Sequence, residues 1–123
     1  YNFFGLKLSF VESTQAIPAG THQVRMEFKY DGGGLAKGGT VSLFVDGKKD
    51  GEGRVDMTVP MAFSGDETCD VGKETGSPVS TDYGSKDNAF SGKVNWVQID
   101  LEKDDHDHLI SPDERFKIAM ARQ

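Results

Sequence analysis

The sequence has little of what would point to several common classes of protein. It has one cysteine, Cys69, among 123 residues, so no internal disulfide can form and the core alone must hold the fold. Basic charge is not in excess, since 14 Lys+Arg stand against 20 Asp+Glu. We therefore expect no nucleic-acid partner. No apolar run approaches the roughly 18 residues of a membrane-spanning helix, and we expect no membrane segment.

The length and the first residues bear on domain organisation. A chain of 123 residues has the size of one domain with its own core, so we expect a single domain over residues 1–123. The sequence starts with Tyr1 rather than Met, and Phe3 and Phe4 make this start apolar. Because natural termini are usually polar, we expect the chain to come from a longer protein. One unpaired cysteine fits either the cytoplasm or the periplasm, and the compartment stays open.

Apolar and polar residues alternate along much of the chain, which is typical of antiparallel strands with one solvated face. The strands are predicted over residues 3–12, 22–30, 40–45, 52–59 and 93–101. Asp46-Gly47 predicts a tight hairpin after the third strand. Trp96 lies within the last strand, and we expect it in the core. Short strands and Gly-rich turns predict an all-β fold, specifically an antiparallel β-sandwich or jelly roll.

Two further segments have a different character. Residues 64–92 show no period and are rich in turn formers, so we expect a long loop that is functional or held in place by contacts. Near the end, a capping Ser111 is followed by Pro112 and then by Glu114 three positions after the cap. This pattern predicts a short terminal helix over residues 111–122, which must dock on something to persist.

The Gly-rich segment over residues 31–40 invites comparison with a phosphate-binding loop. That comparison fails, because Lys37 precedes Gly38-Gly39 whereas the phosphate loop needs Gly-Lys-Ser/Thr in that order. The segment also lies between two predicted strands, with no helix to receive an anion. We interpret it as a flexible connection between strands, with a backbone anion-binding nest as the alternative.

Acidic residues cluster in the long loop. Asp66, Glu67 and Asp70 fall within five positions, and oxygen ligands in such a loop suit Ca²⁺, although the EF-hand spacing is absent. The alternative is a solvated acidic loop that binds nothing. A second cluster over residues 104–108 combines three aspartates with two histidines, and we interpret it as a solvated linker. His22, at the start of a strand, is expected to be exposed and without a role.

No motif in the chain carries a catalytic mechanism. Cys69 has no sequence partner that would activate it, and no Gly-x-Ser-x-Gly motif is present. Paired acids for glycoside hydrolysis stay open, because their separation depends on the fold. We expect that this chain alone is not an enzyme and assign it no catalytic residue and no catalytic cofactor.

Several blocks of the sequence follow one another in a specific order and spacing. The main blocks are Ile17-Pro18-Ala19-Gly20-Thr21-His22, Tyr30-Asp31-Gly32-Gly33-Gly34, Val45-Asp46-Gly47-Lys48-Lys49, Phe63-Ser64-Gly65-Asp66-Glu67-Thr68-Cys69-Asp70-Val71-Gly72 and Thr75-Gly76-Ser77-Pro78-Val79. Taken together, they resemble the C-terminal domain of long bacterial arylsulfatases. The similarity covers essentially the whole chain, although no block is a catalytic motif.

The resemblance implies a concanavalin- or LamG-like sandwich that follows an α/β sulfatase domain in a bacterial protein. In that family, sulfate esters are hydrolysed by a formylglycine made from Cys or Ser in a Cys/Ser-x-Pro-Ser-Arg motif, beside Ca²⁺. Here Cys69 is followed by Asp70-Val71-Gly72, so it is not that nucleophile, and no catalytic position carries over. The implied partner is the sulfatase domain of the same polypeptide, and the oligomeric state stays open.

Two alternatives remain beside this hypothesis. The chain could be a carbohydrate-binding module, since jelly rolls commonly carry such sites, but a net charge of -6 opposes sulfated glycans. It could also be a free-standing β-sandwich stabilised by Ca²⁺ at the acidic loop. The parent gene discriminates the sulfatase hypothesis from the free-standing domain, because only the sulfatase requires a Cys/Ser-x-Pro-Ser-Arg motif upstream.

Overall fold

A computed structural model describes residues 1–60 and 69–101 together with Met120. The strands, in chain order, are β1 (Asn2–Phe3), β2 (Lys7–Leu8), β3 (Val24–Tyr30), β4 (Gly39–Val45) and β5 (Lys48–Val55). All pairings between them are antiparallel: β1 pairs with β2, and β3, β4 and β5 form a three-stranded sheet in that order. The described part of the chain is therefore all-β, as predicted.

The three-stranded sheet forms where the sequence alternates most regularly. β3 pairs with β4 along its full length, from Val24 opposite Val45 to Tyr30 opposite Gly39. Asp46 and Gly47 join β4 to β5 with φ values of 49° and 78°. Positive φ at both central residues gives a turn whose twist matches that of the flanking strands. The predictions of β3, β4 and the Asp46-Gly47 hairpin are confirmed.

The prediction of one strand over residues 3–12 is wrong. Phe4 and Gly5 have φ values of 51° and 70°, which turn the chain back after two residues and make the short β1–β2 hairpin. The Asn2 side chain stabilises this turn, since its Oδ1 accepts a hydrogen bond from the Gly5 N–H at 2.6 Å. Alternation of apolar side chains cannot reveal such a turn, because the apolar spacing continues through it.

The N-terminal segment is attached to the far edge of the sheet. Lys7 forms an ion pair of 2.5 Å with Asp56, just beyond β5. The Val59 N–H donates to the Tyr1 hydroxyl at 2.7 Å. Thr14 bonds Asp50 twice, through its N–H to the carbonyl at 2.9 Å and through its hydroxyl to the carboxylate at 2.7 Å. The N-terminal segment is therefore held against β5 and the residues that follow it.

Two other strand predictions need correction. The predicted fourth strand over 52–59 is β5, which starts at Lys48, directly after the hairpin turn, and ends at Val55. Residues 93–101 form no strand, and Trp96 is 62% exposed rather than in the core. Their apolar alternation is typical of a strand, but a strand also requires a neighbour to pair with, and no described residues provide one.

The remaining predictions concern the C-terminal segment and the overall architecture. The helix over 111–122 and the cluster over 104–108 lie outside the described residues, apart from Met120. A second sheet packed on the first, which would make a sandwich or jelly roll, stays a prediction. Within the ranges that the structure describes, no helix is long and apolar enough to span a membrane.

Candidate functional site

One face of the three-stranded sheet is apolar. In an antiparallel sheet, residues directly opposite each other share a face. The pairs Val24–Val45, Met26–Leu43 and Phe28–Val41 therefore place their side chains on the same side. On β5 this face continues through residues 51, 53 and 55. The sequence alternation that predicts β3 is what collects these apolar side chains.

The covering of this face is uneven. At the β5 side, the chain around Val11 crosses so closely that a Cβ added at Gly53 would lie 2.6 Å from the Val11 Cγ2. The hydrophobic side chains buried in the described part of the protein are Val41 and Val55, at 8% and 4% exposure. The glycines of β5, Gly51 and Gly53, thus leave space for the crossing segment. The buried core lies on this side of the sheet.

At the β3 side the same face is open. Val24, Met26 and Phe28, which we call the apolar strip, are 63%, 65% and 41% exposed. The residues that alternate with them, Arg25, Glu27 and Lys29, point to the other face. The alternation along β3 therefore places all three apolar side chains on one face. Clustered apolar side chains on an ordered sheet commonly mark a protein–protein contact.

The opposite face is polar and its charges are paired within the sheet. The guanidinium of Arg25 lies 4.0 Å from the centre of the Phe44 ring and also contacts Glu27. Arg54 binds Asp31 through two contacts, of 2.9 and 2.6 Å, which hold the pKa of that carboxyl below its ordinary value. Hydrogen bonds from Lys49 and Ser42 lower the pKa of Glu52. These pairs stabilise the face without creating a reactive group.

The Gly-rich segment after β3 is tied down rather than a flexible connection. The Tyr30 hydroxyl donates to the Gly34 carbonyl and accepts from the Lys37 N–H at 3.1 Å. The Lys37 carbonyl accepts from the Thr58 hydroxyl at 2.8 Å. Lys37 is therefore held by its backbone between β3 and the residues after β5, and it is followed by β4 rather than by a helix that could build a phosphate site.

A pocket of about 490 Å³ lies in the long loop, and its lining includes Asp70, Glu74, Tyr83, Asn88 and Phe90. The Asn88 amide holds the loop together, because its Oδ1 accepts from the Glu74 N–H at 3.0 Å and its Nδ2 donates to the Glu74 carbonyl at 3.1 Å. Tyr83 donates to the Glu74 carboxylate, and that bond raises the pKa of the Tyr83 phenol. The prediction of a loop held by contacts is confirmed for residues 70–90.

The predicted calcium ligands are described only in part. Asp66 and Glu67 lie outside the described residues. The Asp70 carboxylate accepts two hydrogen bonds of 2.7 Å from Thr75, one from the N–H and one from the hydroxyl. In the described ranges, no group of three or more His, Cys, Asp or Glu side chains is placed to hold a metal ion. The calcium site therefore stays a prediction that rests on the acidic spacing alone.

His22 is not without a role, as the sequence led us to expect. Its Nδ1 lies 2.7 Å from Asp46 Oδ2, while the other Asp46 oxygen accepts from the Gln23 N–H at 3.0 Å. The hydrogen bond to Asp46 raises the pKa of His22, and the same bond lowers the pKa of Asp46. This pair joins the start of β3 to the β4–β5 hairpin.

Sequence reasoning missed the residues that shape the loop pocket. Glu74, Tyr83 and Asn88 are separated by 5 to 14 positions and follow no period. The signal that could have found them is chemical: one amide and one phenol among glycines, able to close a loop by side-chain bonds to the backbone. Cys69 is exposed, whereas cysteines that pack in a core are buried.

No protein family, curated protein or solved structure matches this chain.

Proposed function

We propose that this chain is the non-catalytic C-terminal domain of an arylsulfatase-like protein. It supports the sulfatase domain of the same polypeptide, its substrate pocket or its oligomer contacts. The proposal includes a sandwich or jelly-roll architecture of the concanavalin- or LamG-like kind. Its sequence support is the order and spacing of the blocks that resemble this family.

The observation that carries the proposal is the apolar strip. β3 exposes three large apolar side chains at alternate positions on one face, while Arg25 and Glu27 pair on the other face. Burying such a side chain completely stabilises a complex by about 1.5–3 kcal/mol before the costs of association. A domain that supports a larger neighbour needs a surface of this kind, whereas an isolated domain gains nothing from exposing it.

The chemistry of sulfate-ester hydrolysis belongs to the other domain in this proposal. The described side chains that come together here are paired carboxylates, a tyrosine and an amide that close loops, and none forms a nucleophile with an adjacent base. The contribution of this chain is therefore to position and cover, through contacts between domains. Removal of the chain is expected to affect stability or substrate affinity more than the reacting groups.

The test begins with the coding region upstream of this chain. We expect a Cys/Ser-x-Pro-Ser-Arg motif several hundred residues before Tyr1. The enzyme made without residues 1–123 should then lose thermal stability or show a raised KM towards an aryl sulfate, compared with the intact enzyme. A coding region without that motif, or a truncated enzyme with unchanged stability and kinetics, would contradict the proposal.

A second candidate is a carbohydrate-binding module, favoured by the loop pocket. Phe90 is exposed and lines this pocket together with Lys73 and Asn88, and an exposed ring can stack on the apolar face of a sugar. The net charge of -6 favours a neutral glycan over a sulfated one. Titration with neutral oligosaccharides should give binding that Phe90→Ala removes. Absence of binding across such a panel retires this candidate.

A further inference from the structure

The outer edge of β3 is unpaired among the described strands. β3 hydrogen-bonds to β4 on one side only, and it is the first strand in the sheet order β3-β4-β5. A free edge presents backbone donors and acceptors that can pair with another strand, and natural proteins usually protect such edges. Here the edge carries the exposed Val24 and Met26 on one face and the charged Arg25, Glu27 and Lys29 on the other, so a pairing strand must match both its apolar spacing and its charges.

Residues 96–101 are an unpaired segment in which apolar and polar residues alternate, as they do along β3. Val97, Ile99 and Leu101 alternate with Gln98 and Asp100, and Ile99 and Leu101 are 73% and 89% exposed. The Gln98 Nε2 donates to both Asp100 carboxylate oxygens, at 2.9 and 3.0 Å, so these two side chains lie on the same side. Side chains two positions apart share a side in an extended chain. The segment is thus extended and apolar on one side, but belongs to no strand.

We propose that residues 96–101 of one copy of this chain pair in antiparallel orientation with the free edge of β3 in a second copy. The register places Met26 opposite Ile99, so that the apolar residues of both segments share one face. On the other face, Arg25 then lies opposite Asp100. The new strand lies beside β3 and widens the apolar face of the sheet next to the apolar strip.

Charge fixes the orientation. In the antiparallel register the opposed pairs are Val24–Leu101, Arg25–Asp100, Met26–Ile99, Glu27–Gln98, Phe28–Val97 and Lys29–Trp96. Opposite charges face each other at Arg25–Asp100, which favours cross-strand pairing, and Lys29 meets an aromatic ring. A parallel arrangement that keeps Met26 beside Ile99 would place Glu27 beside Asp100. Like charges at such positions destabilise the pairing.

The partner is a second copy because the segment does not pair with β3 of its own chain. Its start packs on the long loop, where Val94 Cγ2 lies 3.7 Å from a Cβ added at Gly72, and residues 93–101 pair with no described strand. Every copy carries both the free edge and the segment, so two copies complement each other in a closed two-fold arrangement. This inference is independent of the proposed sulfatase partner.

Disulfide trapping tests the pairing in the full chain. In a Cys69→Ser background, Met26→Cys with Ile99→Cys places two cysteines opposite each other, with Cβ atoms about 4.5–5.5 Å apart. Mild oxidation should give a covalent dimer on a non-reducing gel, and reductant should convert this dimer back to the monomer. The matched control, Met26→Cys with Gln98→Cys, points the two thiols to opposite faces and should give no covalent dimer on the same gel. An internal disulfide in a monomer, or no disulfide, overturns the proposal.

Charge reversal supplies a second measurement that does not depend on oxidation. Arg25→Asp or Asp100→Arg alone should weaken the dimer at least tenfold in sedimentation equilibrium, because each puts like charges opposite one another. The double variant should recover most of the loss. Circular dichroism establishes that each variant keeps its sheet. A double variant that dimerises no better than the single ones contradicts the register.

Discussion

At the scale of single residues, His22 and Asp46 make stability depend on pH. The hydrogen bond between them raises the pKa of His22 above its ordinary value of about 6.5, so its stabilising effect is present below that pH. It is lost as the pH rises through the raised pKa. Asp46 has a lowered pKa, so its contribution is present above about pH 3.9 and lost as the pH falls through that lowered pKa.

The pair therefore stabilises the fold most between about pH 4 and 6.5. We predict that Asp46→Asn lowers the melting temperature more at pH 5.5 than at pH 9, because at pH 9 the imidazole is neutral in both states. Asparagine tolerates the positive φ of this turn residue, so the backbone is preserved. Asp87→Asn, also at a positive φ, is the control for losing one negative charge. An Asp46→Asn effect that does not change with pH would contradict the role of the pair.

Gly51 tests the crossing of the N-terminal segment over β5. A Cβ added there would overlap the backbone carbonyl of Glu12, which cannot move without shifting the segment. We predict that Gly51→Ala destabilises the fold by about 1–3 kcal/mol in urea unfolding. Gly84→Ala is the matched control, since its Cβ would approach no atom closer than 3.9 Å. Equal stability of the two variants would mean that the segment does not cross there.

At the scale of elements, the sequence predicts those strands whose partners are nearby in the chain. β3, β4 and the Asp46-Gly47 hairpin follow from alternation and turn chemistry, which are local. The strand over 3–12 fails at Phe4 and Gly5, where positive φ turns the chain although the apolar spacing continues. The strand over 93–101 fails because spacing describes side chains and not the presence of a neighbour.

The functional surfaces were predictable to a smaller extent for the same reason. The apolar strip is readable as the alternation of Val24, Met26 and Phe28, but its exposure depends on how far the chain around Val11 reaches across the sheet. The loop pocket depends on Asn88 and Glu74, whose contact over 14 positions no periodicity encodes. Long-range side-chain bonds of this kind become visible only in three dimensions.

The acidic loop gives a prediction about metal. With Ca²⁺ at about 100 times its dissociation constant, a bound ion stabilises the fold by about 2.7 kcal/mol, visible as a rise in melting temperature relative to chelator. The variant Asp66→Asn with Glu67→Gln should abolish that rise. Asp82→Asn removes a carboxylate further along the chain and should leave it intact. Equal melting in calcium and in chelator would mean that the loop is only solvated.

At the scale of the whole molecule, the sheet offers two surfaces to a partner, the apolar strip and the outer edge of β3. Its β5 side is covered by its own N-terminal segment, and the charged side chains of its polar face form ion pairs with one another. Among the described residues, the apolar strip and the edge beside it stay uncovered. The proposed docking to a sulfatase domain uses the face, whereas the proposed pairing between copies uses the edge, so the two proposals are compatible.

The most direct measurement is a calorimetric titration of this chain into the separately produced sulfatase domain from the same gene. The account predicts saturable one-to-one binding with a negative heat-capacity change, the sign of apolar burial. Met26→Asp in the apolar strip should abolish it, while Lys29→Asp on the opposite face should leave it close to that of the unaltered chain. No heat of binding for the unaltered chain, or equal loss in both variants, would contradict the account.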